Sequence, residues 1–139
     1  MLGFKQSKVL KMKKMKSVLL VFYDQKEIEF IEANLIENGF QVFKSDNLKS
    51  ALVLAEKKLP DLIVVNTLDS ESDILFFSNL IKIQQSKVTT FLTLIELEDY
   101  FKTSSKGHFV MKPMRPKLLL SLIRCLMDHE EINWLSSVR

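Results

Sequence analysis

Cysteine, glycine and proline are all scarce in this chain of 139 residues, which has one Cys, three Gly and three Pro. A single thiol, Cys125, cannot close an internal disulfide, so the fold must hold without one. So few glycines and prolines exclude collagen-like and low-complexity chains and leave regular structure as the expectation. No apolar run approaches the roughly 20 residues of a membrane-spanning helix. Residues 1–16 also lack the long apolar centre and small-residue cleavage site of a secretion signal. Acid is missing from those 16 residues too, which hold Lys5, Lys8, Lys11, Lys13, Lys14 and Lys16. The net charge of +3 therefore becomes −3 once these six lysines are set aside. A cytoplasmic protein is predicted, with a basic arm over 1–16, one domain over 17–128, and a segment over 129–139 that is either a tail or an extension of the last helix.

Apolar material is plentiful, at 47% of residues, and suffices for one sizeable core. Val18 to Val21 reads as a buried strand. Ile28, Ile31 and Leu35 follow at helical spacing, closed by Asn38-Gly39. Phe40 to Phe43 alternates as a second strand, and Asp46 or Asn47 can cap a helix that buries Leu48, Ala51, Leu52 and Ala55. Pro60-Asp61 opens a third strand, Leu62 to Val65, apolar at every position, as in a parallel sheet covered on both faces.

A third helix is predicted over Asp73–Gln84, with Leu75, Phe77, Leu80 and Ile81 inward. Val88–Leu94 reads as a fourth strand and Glu96–Ser105 as a short helix or irregular connection. A fifth strand is expected over His108–Met111. A last helix over Arg115–Asp128 would bury Leu118, Leu119, Leu122, Ile123 and Leu126. Five strands alternating with helices imply an α/β sandwich with a parallel sheet, and its functional crevice lies beyond the carboxyl ends of the strands.

Ordered in this way, residues 16–128 resemble the receiver domain of two-component response regulators. The resemblance is carried by the strand and helix alternation, Gly39-Phe40 before the second strand, Pro60-Asp61 before the third and Lys112-Pro113 after the fifth. It implies a flavodoxin-like three-layer sandwich: a five-stranded parallel sheet of order 2-1-3-4-5 with helices on both faces. The short span from Thr93 to Lys112 suggests a reduced fourth helix.

In that family an acidic cluster after the first strand holds magnesium, and an aspartate ending the third strand accepts a phosphoryl group. A hydroxyl ends the fourth strand and a lysine ends the fifth. The matching positions here are Phe22 and Tyr23 with Asp24 beside them, then Asn66, Thr93 and Lys112, a degenerate form of the phosphoacceptor pocket. Leu94 beside Thr93 would crowd phosphoryl access, and Phe109 matches the family's switch-like aromatic.

Asn66 is neutral and cannot supply the oxygen nucleophile of an ionised carboxylate. Magnesium usually demands one or two carboxylates among its oxygen ligands, and Asp24 is the lone acid of the pocket. The expectation is a pseudo-receiver with no catalytic residue, no cofactor, no metal and magnesium binding lost or weak. It would act in two-component or phosphorelay signalling through a protein partner, or a second copy, on the face of the fourth helix, fifth strand and last helix. Two alternatives remain at this point. Asp24 and Asp69 could serve as displaced acids of a phospho-accepting regulator, or the lysine arm could contact nucleic acid. His108 and His129 have no partner at zinc-ligand spacing.

Overall fold

The computed structural model describes residues 15–84, 89–95, 108–112 and 115–137. They form β1 (Ser17–Phe22), α1 (Gln25–Glu37), β2 (Gln41–Ser45), α2 (Leu48–Lys58) and β3 (Leu62–Asn66). Then come α3 (Glu71–Gln84), β4 (Thr90–Ile95), β5 (His108–Met111) and α4 (Pro116–Ser137). The sheet order is β2-β1-β3-β4-β5, and every pairing is parallel. This is the expected five-stranded three-layer sandwich.

β1 and β3 are buried at every residue because they form the centre of the sheet and alternate side chains feed opposite layers. Val18, Leu20, Phe22, Leu62, Val64, Leu92 and Leu94 point into one layer, against Ile28, Ile31 and Leu35 of α1 and Leu119, Ile123 and Met127 of α4. Leu19, Val21, Ile63 and Val65 point the other way, against Ala51 and Ala55 of α2 and Ile74, Phe77 and Ile81 of α3. Phe77 and Phe91 meet edge to face, centroids 6.3 Å apart. Each such buried side chain contributes about 1.5–3 kcal/mol, so the two layers dominate the stability of the fold.

Local chemistry sets the element ends. Asp24 caps α1 by accepting from the amides of Lys26 and Glu27. The helix closes where Gly39, at φ 88°, turns the chain and the Phe40 amide donates to the Leu35 carbonyl. Asn47 caps α2 by accepting from the Ser50 amide, and α2 ends on Leu59 at φ 49°. Asp61 staples β3 to β1: its carboxylate accepts from the Ser17 amide at 2.8 Å and its amide donates to the Ser17 carbonyl at 2.9 Å. The Pro60-Asp61 landmark is thus structural in this chain. β2 is an edge strand, flanked by a 3.0 Å ion pair between Lys44 and Glu32 and by Lys58 over the Phe43 ring.

Several expected boundaries shift. β2 and β4 begin and end later, and α3 starts two residues earlier than Asp73. Leu75 and Leu118 are exposed rather than inward, because Ile74 and Leu119 take the buried positions beside them. α4 continues to Ser137, so much of the 129–139 segment extends the last helix. The fourth helix expected at Glu96–Ser105 and the arm up to residue 14 lie outside the described residues. Among the described residues, no helix is long and apolar enough to cross a membrane.

Candidate functional site

The carboxyl ends of β1, β3 and β5 meet because parallel strands finish on the same side of the sheet. Phe22 pairs with Asn66 in register, and the Tyr23 amide donates to the Asn66 carbonyl at 3.1 Å. Lys112, just past β5, reaches across and donates from Nζ to the Thr67 carbonyl at 2.8 Å. The same ammonium lies 5.9 Å from the centroid of the Tyr23 ring, a cation–π placement.

The expected pocket residues therefore divide. Tyr23, Asn66 and Lys112 come together. Phe22 does not line an opening, since it is fully buried in the layer shared with α1 and α4. Asp24 spends its carboxylate on the α1 cap, with a contact of 2.9 Å to the Lys26 amide and one of 3.2 Å to the Glu27 amide. Thr93 is buried on β4, in register with Val65 on one side and Phe109 on the other. The Phe109 side chain lies outside the described residues. Leu94 is a core residue of the α1 and α4 layer.

One participant was not among the residues expected from the sequence. Glu27 of α1 accepts from Asn66 Nδ2 at 2.7 Å, across 39 residues of sequence. Asn66 is only 6% exposed, and its Oδ1 is buried with no hydrogen-bond partner among the described residues. Glu27 sits half-buried, and loss of solvent raises its carboxyl above the usual range. The Asn66 hydrogen bond opposes that shift, nearby Asp24 adds to it, and Lys112 opposes it. A cue was present in Asp24-x-x-Glu27, the spacing of a capping box, in which the glutamate normally turns back to the cap amide. Here Asp24 does cap, while Glu27 reaches into β3 instead.

Asp69, Glu71 and Asp73 do not replace the missing acids. Glu71 and Asp73 lie in the first turn of α3, where negative charge complements the helix dipole. The Asp69 amide donates to Thr67 Oγ1 at 3.4 Å, and the Asp73 amide donates to Ser70 Oγ. Cys125 is a free thiol exposed on α4.

The donor set does not suit magnesium, which seeks hard oxygen ligands in octahedral array. Phe22 offers none and Asp24 is engaged in the cap. Asn66 presents its NH₂ to Glu27, and an ammonium stands alongside. Among the described residues no group of three or more His, Cys, Asp or Glu is placed to hold a metal ion.

No protein-family model matches the chain, and no curated protein matches it. Solved structures are similar in fold. The Vibrio cholerae chemotaxis protein CheY4 superposes with a TM-score of 0.65 at 23% identity, covering 80% of this chain and 98% of that one. The regulatory domain of the repressor of iron transport regulator, RitR, in its inactive form, gives 0.69 at 18% identity, covering 82% and 96%. HP1043, an orphan response regulator of H. pylori, gives 0.62 at 24% identity, covering 79% and 94%. The chain has the CheY-like receiver fold.

Proposed function

From a receiver fold with an amide where the family carries its reactive carboxylate, we propose a phosphorylation-independent signalling domain. It acts by binding another protein rather than by catalysis, in a two-component or related phosphorelay pathway of the cytoplasm. The observation that carries this reading is the engagement of Asn66 with Glu27 and of Lys112 with the Thr67 carbonyl. Both side chains are committed to internal partners, and Asn66 itself offers no carboxylate oxygen at the end of β3.

Incubation with radiolabelled acetyl phosphate and magnesium tests it. No stable label is expected on the wild-type chain, and none on Asn66→Asp. That variant gains a nucleophile but still has Phe22 and Tyr23 in place of the metal-binding acids. Label that appears on the wild type and disappears on Asn66→Ala would overturn the reading. Label on Asn66→Asp would show that the metal ligands lie elsewhere.

The partner face proposed is that of the segment between β4 and β5, β5 itself and α4. Leu118, 58% exposed on α4, supports it, because a large apolar side chain left in water there is a ready anchor. The same face would serve a second copy of the chain, which sedimentation of Leu118→Glu against wild type distinguishes from a foreign partner. The displaced-acid alternative would require Asp24 to surrender two cap hydrogen bonds. Beryllofluoride with magnesium should leave the amide spectrum unchanged if that alternative is wrong. Contact of the lysine arm with nucleic acid would be salt-sensitive and lost on deletion of residues 1–14.

A further inference from the structure

We propose that Glu27 and Asn66 together form a proton-binding site. In its loaded state the Glu27 carboxyl carries the proton on Oε2 and donates it to Asn66 Oδ1, closing a ring of two hydrogen bonds between a neutral acid and an amide.

Half of that ring is already in place. Asn66 Nδ2 donates to Glu27 Oε1 at 2.7 Å. The other half is missing a donor: Asn66 Oδ1 is buried and unpartnered. A primary amide presents a donor and an acceptor side by side, and a protonated carboxyl presents the complementary pair. An ionised carboxylate presents acceptors only and leaves Oδ1 unsatisfied. A single proton, taken from solvent as pH falls, therefore completes the hydrogen bonding of a side chain that has no other donor among the described residues.

The surrounding charges agree with a site that titrates. Asp24, at the cap of the same helix, disfavours a second negative charge on Glu27, while Lys112 from the end of β5 favours it. Asn66 is the contact from β3, and among the described residues no charge of α4, packed against the apolar stripe of α1, acts on Glu27. Lys112 holds its ammonium on the Thr67 carbonyl beside the Tyr23 ring. The proton site thus bridges α1 and β3 without any phosphoryl group.

The test is carbon-detected NMR of the Glu27 carboxyl carbon in the full-length chain across pH, together with the Asn66 side-chain amide protons. The Glu27 midpoint is expected above that of the exposed glutamates, and the Asn66 amide signals should move with the same midpoint. In Glu27→Gln the side-chain amide supplies both donor and acceptor, so the Asn66 signals should stay at their low-pH position throughout. A Glu27 midpoint in the ordinary glutamate range would overturn the proposal. So would Asn66 signals that ignore the Glu27 transition, or that still titrate in Glu27→Gln. Should that variant fail to fold, the wild-type titration alone decides.

Discussion

Phe22 ends β1 with no exposed surface, packed among Val18, Leu20, Leu94 and the apolar stripes of α1 and α4. Restoring an acid at this position is therefore a stability experiment before it is a functional one. Phe22→Asp removes a buried aromatic, for which truncation alone takes about 3–5 kcal/mol, and places a charge where nothing pairs with it. Loss of more than about 3 kcal/mol is expected in chemical denaturation, and a small loss would mean that the side chain can turn out to solvent. The absence of acids at Phe22, Tyr23 and Asn66 was legible in the sequence, because it depends only on identity. The contact between Glu27 and Asn66 was not. It joins a polar helix position to a strand end 39 residues away, and no periodicity relates the two.

At the scale of elements, α2 ends under strain. Leu59 adopts left-handed geometry at φ 49°, which disfavours residues with a Cβ and is usually given to glycine or asparagine. Leu59 is also 43% exposed, so little packing is lost on replacement. Leu59→Asn is expected to stabilise the domain by about 0.5–1 kcal/mol, since asparagine tolerates this geometry without glycine's gain in unfolded-state entropy. A lower denaturation midpoint would show that the leucine contributes packing that outweighs its strain. The central strands were legible because apolar runs such as Leu62 to Val65, only a few residues long and opened by Pro60-Asp61, fit a strand buried on both faces. The phase of α3 was not. Ile74, Leu75, Phe76 and Phe77 are four consecutive apolar residues, and only tertiary contact with α2 and the sheet selects Ile74 and Phe77 as the inward pair.

For the whole molecule, the raised Glu27 carboxyl makes folding depend on pH. The folded state holds this proton more tightly than the unfolded chain, whose glutamate titrates near 4.5. The stabilisation from this group is therefore complete below that value and is lost as pH rises through the folded midpoint. Glu27→Gln cannot ionise, so its stability relative to wild type should increase over that same window. Urea denaturation at a series of pH values would show it, and a constant difference between the two proteins would count against a raised Glu27. The sheet carries a consequence of another kind at its β2 border. Unpaired backbone groups on an edge strand invite strands of other molecules to add on, the first step toward aggregation. The cations of Lys44 and Lys58, one paired with Glu32 and the other laid over Phe43, stand along that border. A second strand adding at this edge would have to displace or desolvate these ordered charged side chains, a cost that disfavours edge-to-edge assembly.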